Sequence, residues 1–292
     1  MQTRSRRLGV DQPTTSWGFP NPATPPGSST YYAIRFADVA QRDALAALCG
    51  WRHLVRSVLE QVSDPGVAAR KLAWWQGELE RIFARQGQHP LAPALSRAMT
   101  RADLPRQPFL DILWAVEALL ANRQSRDQAE VLARAELDCG SLAELMLHQT
   151  PGHVAAQRSA ARRAGAYWGL VALIRDSGWL LRRGRLGVLP ADALARQGIA
   201  QWSPSGPLPG AALASVLAEL LPLCHRERER LDPDLASLPS ALRIRVRLAD
   251  TLLAELMASG LAVADQRIAL TPLRKLWIAW RESRARVPQP IA

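Results

Sequence analysis

The pattern that most limits what this chain can fold into is a long succession of helical segments. From residue 31 onward, apolar residues recur at the spacing of an α-helix, in stretches separated by proline and glycine turns. In the first stretch, over about residues 37–61, Leu45, Leu48 and Val55 lie near one helical face, and a Ser-Asp-Pro-Gly turn follows. The sequence has neither long β-branched runs nor the glycine-rich phosphate loops of nucleotide-binding α/β folds. The pattern predicts an all-α fold.

Proline and glycine divide the rest of the chain into further helices. The predicted helices cover about residues 37–61, 67–86, 89–103, 108–122, 127–148, 154–181, 190–198, 211–230 and 239–259, and Thr271-Pro272 begins one more. Residues 1–29 are rich in Pro, Gly, Ser and Thr, which predicts a flexible N-terminal segment. Residues 30–292 show neither an internal repeat nor a second boundary, so we expect a single-domain helical bundle there.

The formal net charge of +11, from 37 Lys and Arg against 26 Asp and Glu, indicates an anionic partner. An anionic membrane surface or a phosphorylated ligand fits this charge, whereas nucleic acid is disfavoured because no recognition motif accompanies it. The three cysteines, Cys49, Cys139 and Cys224, are far apart, which favours a reducing compartment over a disulfide framework. No stretch reaches about 18 uninterrupted apolar residues. We therefore expect a cytoplasmic protein, and peripheral contact with the inner membrane is left open.

The segment from Gly165 to Pro190 carries the strongest functional signal. An apolar helical run ends in Arg175-Asp176, and Leu180 stands four residues after the aspartate, where a second acid could share a metal. An arginine-rich turn, Arg-Arg-Gly-Arg at 182–185, follows. Guanidinium groups bind phosphate oxygens directly and need no metal to do so. The segment therefore has the composition of a diphosphate and metal site that has kept its basic half and lost most of its acidic half.

Three stretches together resemble the squalene/phytoene synthase family. They are ALAALCGWRHLVRSVLEQVSDPGVAARKLAWW at 44–75, AELDCGSLAELML at 135–147, and the stretch 165–198, which ends in RRGRLGVLPADALARQG. The resemblance implies an all-α bundle of the isoprenoid (terpenoid) synthase type. It also implies the chemistry of the active members, which join two prenyl diphosphates head to head. In those members two aspartate-rich motifs on facing helices hold Mg²⁺, and the metal binds the diphosphate leaving group.

Against the family pattern, both acidic motifs of this chain are incomplete. Arg56 occupies the position of the first acid of the first motif, where Glu60 is the only acid that remains. In the second motif Asp176 matches the first aspartate, while Trp179 and Leu180 replace the acidic pair that follows. The first motif is similar to that of a degenerate branch, which includes the phytoene-synthase-like mitochondrial complex I assembly factor.

These departures predict a site built from arginines rather than from metal ligands. The candidate anion- or diphosphate-binding residues are Arg56, Arg175, Arg182, Arg183 and Arg185. A solvated helix end is the alternative for the last three, since arginines also favour the C-terminal end of the helix dipole. The candidate metal ligands are Asp176 and Glu60, although a salt bridge to an arginine is the simpler expectation for the aspartate. Five tryptophans are expected in the core rather than in a ligand cage: Trp51, Trp74, Trp75, Trp114 and Trp168.

The expected function is that of a non-catalytic prenyl- or lipid-binding protein, or of an assembly protein for a membrane complex. The alternative is an active Mg²⁺-dependent prenyltransferase that condenses prenyl diphosphates, and a structural scaffold with a filled cavity is the third hypothesis. No cofactor is expected under the first function, and Mg²⁺ is required under the alternative. The expected ligand is a prenyl diphosphate or another isoprenoid-like lipid. A membrane surface or a membrane protein complex is a further candidate partner.

Overall fold

The computed structural model describes residues 17–62, 64–121, 123–203 and 205–285. Within these residues the chain forms twelve α-helices and no strand. The helices are α1 (Ser29–Arg35), α2 (Arg42–Gln61), α3 (Pro65–Phe83), α4 (Ala92–Arg101), α5 (Gln107–Leu120), α6 (Gln128–Ala135), α7 (Ser141–His148), α8 (Gln157–Arg182), α9 (Ala191–Arg196), α10 (Gly210–Leu235), α11 (Ser240–Ala258) and α12 (Pro272–Ser283). A π-helical turn, Glu136–Gly140, joins α6 to α7 without a break. The predicted all-α architecture is confirmed, and no described helix has the length and hydropathy needed to cross a bilayer.

Helix starts follow the capping signals in the sequence. The Asp64 carboxylate accepts a hydrogen bond from the backbone N–H of Val67 at 2.7 Å, and Pro65 occupies the first position of α3. The Thr271 hydroxyl accepts from the backbone N–H of Arg274 at 3.3 Å and caps α12. The first N–H groups of a helix have no partner within it, so these side chains fix where each helix begins.

Helix α8 is the element around which the bundle is arranged. It packs against the π turn, α7, α10 and α11. A Cβ atom at Gly165 would lie 2.2 Å from the carbonyl oxygen of Cys139, and one at Gly178 would lie 2.0 Å from that of Val263. Only glycine lets the α8 backbone approach its neighbours this closely. These two approaches fix the π turn and the segment after α11 against opposite parts of α8.

Part of the predicted flexible N-terminal segment packs on the bundle. Residues 1–16 lie outside the described residues, but Trp17 is only 7% exposed. The side-chain amide of Asn21 donates a hydrogen bond to the carbonyl of Ala46 in α2 at 2.9 Å. Residues 17–29 therefore belong to the folded body. Their Pro- and Gly-rich composition reflects turns that position the buried tryptophan, and it does not mark a loose lead-in.

The tryptophans divide between the core and the surface. Trp51, Trp75 and Trp168 are at most 3% exposed, as predicted. The prediction is wrong for Trp74 and Trp114, which are 42% and 47% exposed. Consecutive residues of a helix point about 100° apart, so only one residue of the Trp74-Trp75 pair can face the core.

Candidate functional site

A cavity of about 620 Å³ opens between α2, α8 and α11. Residues of α1, α5, α6, α7, the π turn, the arginine turn after α8, the segment after α11 and the first turn of α12 also line it. Apolar side chains form much of the lining: Leu119, Val131, Leu142, Val171, Leu173, Val188, Leu248 and Leu252. Trp179 and Leu180 lie in this wall and leave the cavity open. The open space counts against the hypothesis of a scaffold with a filled cavity.

The charged lining of the cavity is strongly unbalanced. Nine cationic side chains line it: Arg52, Arg56, Arg134, Arg175, Arg183, Arg185, Arg245, Arg267 and Lys275. Three carboxylates line it: Glu60, Asp138 and Asp176. Burial lowers the pKa of His53, which also lines the cavity, so this ring stays neutral near pH 7. The lining therefore carries an excess of six positive charges at neutral pH, which favours an anionic ligand.

Asp138, in the π turn, binds two arginines of α2. Its carboxylate accepts from Nε and Nη2 of Arg52 at 2.6 and 2.7 Å, and from Nη1 of Arg56 at 2.5 Å. Burial alone would raise the pKa of Asp138, but the charges of Arg52 and Arg56 outweigh it and hold the pKa below its ordinary value. The carboxylate is ionised at neutral pH, and it orients both guanidinium groups at the cavity wall.

Asp176, near the end of α8, is also held by two arginines. Its carboxylate accepts from Nε and Nη2 of Arg175 at 2.8 and 2.5 Å, and from Nε of Arg267 at 3.1 Å. Asp176 therefore forms salt bridges with arginines, which was the simpler of the two expectations from the sequence. Arg267, which follows α11, lies 91 residues from Asp176 in the chain, and the sequence did not point to this partner.

The acids of the cavity do not fit the magnesium cluster that the family resemblance implies. Among the described residues, no three His, Cys, Asp or Glu side chains lie close enough together to hold a metal ion. Asp138 and Asp176 each accept hydrogen bonds from two arginines, which occupy the oxygens that a metal would need. Glu60 is exposed at the end of α2. Because Mg²⁺ requires several oxygen ligands in near-octahedral geometry, this donor set is too small.

Five cations of the cavity wall form no salt bridge within the described part of the chain, although the charge of Glu130 acts on Arg134 from a greater distance. Lys275 donates to the carbonyl of Gly27 at 3.0 Å, and Arg185 donates to the carbonyl of Leu59 at 3.0 Å. Arg134 donates to the carbonyls of Gly187 and Arg123 at 2.8 and 2.9 Å. The Arg183 guanidinium stacks on the ring of Trp179, 3.9 Å from its centre. Arg245 donates to the Thr30 hydroxyl at 2.8 Å and stacks on the ring of Trp168, 4.9 Å from its centre. Neutral partners orient these groups without neutralising them, so their charge is available to a ligand.

The pKa values of two cavity cations, Arg245 and Lys275, are lowered, as expected where positive charge is in excess. Burial lowers the pKa of Arg245, and the charges of Arg52 and Arg175 lower it further. Burial also lowers the pKa of Lys275, as do the charges of Arg175 and Arg267. A cation whose pKa is lowered by burial and by like charges gains stability when an anion binds beside it. A bound anion would therefore raise the pKa of Arg245 and of Lys275 and stabilise their charged forms.

The structure brings four of the five predicted anion-binding residues to the cavity. Arg56, Arg175, Arg183 and Arg185 line it. Arg182 is not in the lining: it donates to the carbonyl of Ala264, and its Nη2 lies 3.8 Å from the carboxylate of Asp265. The two predicted metal ligands, Glu60 and Asp176, both line the cavity.

Sequence reasoning missed several residues of the site. Arg52 lies one helical turn before Arg56, and this i, i+4 spacing was a usable signal that both residues share a face. Arg245 gave no separate signal, because Arg243 and Arg247 alternate with apolar residues in the same way on either side of it. Asp138 gave no such signal, because its partners are more than 80 residues away in the chain.

The sequence model of the squalene/phytoene synthase family matches residues 23–274, most of the chain. The chain belongs to this family. Among curated proteins it is similar to phytoene synthase 3, chloroplastic, of Zea mays, with 28% identity over 178 residues, which are 58% of this chain. The matched part is 41% of the maize protein.

Three solved structures have the same fold as this chain. A dehydrosqualene synthase in complex with ligand has a TM-score of 0.73 and 16% identity, covering 87% of this chain and 90% of that one. Squalene synthase HpnC from Alicyclobacillus acidocaldarius has a TM-score of 0.64 and 16% identity, covering 82% and 91%. YisP from Bacillus subtilis subsp. subtilis strain 168 also has a TM-score of 0.64 and 16% identity, covering 86% and 89%. The predicted isoprenoid-synthase type of bundle is confirmed.

Proposed function

We propose that this family member is a non-catalytic binding protein for a prenyl diphosphate or a similar phosphate-bearing isoprenoid lipid. The observation that carries the proposal is the charge of the cavity, where nine cationic side chains face three carboxylates. Arginine side chains bind phosphate oxygens through charge-assisted hydrogen bonds and can take the diphosphate without a bridging metal. The apolar part of the wall offers a surface against which a prenyl chain would be buried.

The same observation argues against condensation chemistry. In the active members that the chain resembles, Mg²⁺ neutralises the diphosphate as it leaves the allylic carbon. Asp138 and Asp176 could serve a metal here only by giving up their arginines, which would leave the partly buried Arg52, Arg56 and Arg175 without a counter-charge. We therefore expect binding without turnover. A role in assembling a membrane complex, which the likeness to the degenerate branch implies, stays a prediction.

Binding is tested by isothermal titration of the purified protein with farnesyl diphosphate in the presence of EDTA. The chain offers a matched pair of variants, because Arg183 lines the cavity while its neighbour Arg182 bonds elsewhere. Arg183→Gln should weaken binding by about 10-fold, the loss expected for one charged hydrogen bond. Arg182→Gln should leave the affinity unchanged. Absence of binding until Mg²⁺ is added would contradict the proposal.

Catalysis is tested separately with the same protein. Labelled farnesyl or geranylgeranyl diphosphate is incubated with the protein and Mg²⁺, and the extracted lipids are separated. We expect the diphosphate to be recovered intact. A squalene- or phytoene-like product would instead support the alternative, an active Mg²⁺-dependent prenyltransferase with an altered site.

A further inference from the structure

Helix α12 is turned so that apolar side chains face solvent. Leu273, Leu276, Trp277 and Trp280 are 78%, 40%, 55% and 43% exposed. Their spacing of three, one and three residues places them on one face of the helix. A surface helix in a globular protein normally turns such a face toward the core, so this contiguous exposed surface indicates a partner. We call these four residues the α12 face.

The opposite side of α12 faces the bundle, where Ile278 and Ala279 pack on the core and polar side chains bind neighbouring elements. The Glu282 carboxylate accepts hydrogen bonds from Arg243 at 2.9 Å and Arg247 at 3.3 Å of α11. Lys275 reaches the cavity described above, and Ala279 is buried. These contacts fix the rotation of the helix about its axis. The exposure of the α12 face is therefore set by the fold and not by fraying of the helix.

Two arginines stand on the exposed side of the helix beside the tryptophans. Arg281 lies over the ring of Trp277 at 5.4 Å, and Arg284 lies over the ring of Trp280 at 4.5 Å. Neither arginine has a carboxylate partner among the described residues. Aromatic rings next to unpaired cations are typical of helices that lie in the headgroup region of a membrane, where the ring enters the apolar boundary and the cation contacts lipid phosphate.

We propose that the α12 face docks on an anionic membrane surface. The charge of the chain, +11, and the unpaired Arg281 and Arg284 are complementary to anionic lipid. A second copy of the chain is the less suitable occupant, because both copies carry a formal net charge of +11, and like net charges oppose association. Lys275 reaches the cavity from the inner side of α12. Docking through the α12 face would therefore place the cavity about 10 Å from the lipid, the diameter of one helix.

The test is sedimentation of the full chain with vesicles. One set contains phosphatidylcholine alone, and the other contains equal parts of phosphatidylcholine and phosphatidylglycerol. We expect binding to the mixed vesicles only, and weaker binding as salt is raised. The double variant Trp277→Gln, Trp280→Gln should lower partitioning by about 10-fold or more. The control is Trp74→Gln, Trp114→Gln, which removes two tryptophans of similar exposure from other helices and should bind like the wild type.

Circular dichroism of each variant establishes that the exposed substitutions leave the fold intact. Failure of the wild type to bind mixed vesicles would overturn the proposal, as would equal binding to both vesicle types or an equal loss in the control pair. Sedimentation velocity without lipid identifies the competing occupant. A dimer that the α12 variant dissociates, in a protein that ignores vesicles, would assign the face to a second copy of the chain and would also overturn the proposal.

Discussion

Asp138 orients two cavity arginines, Arg52 and Arg56, through its carboxylate. Its side chain is 10% exposed, and those of Arg52 and Arg56 are 24% and 30% exposed. Without it, two partly buried guanidinium groups would face each other with no counter-charge. The carboxylate thus acts on a ligand through the arginines it orients, which makes it a positioning residue.

Asp138→Asn should destabilise the protein by about 3 kcal/mol at pH 7, because it removes the charge from a buried ion pair and leaves both partners. The pKa of Asp138 lies below its ordinary value in the fold. Its contribution is therefore fully present above the unfolded pKa of about 3.9 and is lost as the pH falls through the folded pKa. Urea unfolding of both proteins should show the full difference at pH 7 and a shrinking one below about pH 4.

The control for this prediction is Asp265→Asn, since Asp265 is 94% exposed and its nearest cation, Arg182, lies 3.8 Å away. This variant should unfold like the wild type at every pH, because exposed ion pairs contribute little. A difference between Asp138→Asn and the wild type that stays constant from pH 7 to acid would show that lost packing, and not lost charge, is the cause.

Arg182 and Arg183 show how far single residues can be assigned from the sequence. Both stand at the end of α8, in a run of arginines that predicts anion binding as a group. Neighbouring positions on a helix differ by about 100°, so one guanidinium lines the cavity and the other donates to the Ala264 carbonyl. The type of chemistry could be predicted from the residues, but the assignment of each arginine needed the packing of α8 against the segment after α11.

At the scale of elements, the contact between the π turn and α8 sets the position of Asp138. A Cβ at Gly165 would lie 2.2 Å from the Cys139 carbonyl oxygen, and one at Gly140 would lie 3.0 Å from the Arg162 carbonyl oxygen. Two backbones that meet through glycine on both sides leave little room for adjustment. The π turn inserts an extra residue at this contact, and such turns often occur at functional sites.

Gly165→Ala should therefore destabilise the protein by about 2 kcal/mol, since the added methyl group meets backbone atoms that cannot rotate away. The matched control is Gly77→Ala in α3, whose nearest neighbour would be the flexible end of Arg81 at 3.5 Å. That variant should gain up to about 1 kcal/mol, because alanine favours the helix over glycine. Both values come from urea unfolding, and equal effects in the two variants would contradict the close backbone contact.

Most of the helices were predicted, with ends that differ by a few residues, because each carries its own apolar face and its own proline, glycine or capping signal. The short helix α1 (Ser29–Arg35) was not predicted. The π turn was not predicted. The stretch from 127 to 148 has the pattern of one long helix, and within it Glu136–Gly140 form a π-helical turn that packs against α8. Local signals specify helices, whereas a local change of helix type depends on a partner elsewhere in the chain.

On the scale of the whole molecule, the excess of positive charge in the cavity opposes the compact state. The formal net charge is +11, and the cavity lining alone has six more cations than carboxylates. Like charges held together at low solvent exposure repel more strongly than charges on the surface. The family and its bundle could be predicted from the sequence. The concentration of charge in one cavity could not, because its members come from parts of the chain far apart in sequence: α2, α6, the π turn, α8 and the turn after it, α11 and the segment after it, and α12.

A bound polyanion should relieve that repulsion and stabilise the fold without any metal. Pyrophosphate at about 100 times its dissociation constant would add about 2.7 kcal/mol. For a chain of this size we expect the melting temperature to rise by about 5 °C in the presence of EDTA. Sodium chloride at the same ionic strength should give a smaller rise, because it screens charge without occupying the cavity. Arg183→Gln should reduce the pyrophosphate effect, and Arg182→Gln should preserve it. A rise that requires Mg²⁺ together with pyrophosphate would instead indicate that metal ions bridge the anion to Asp176 and Glu60.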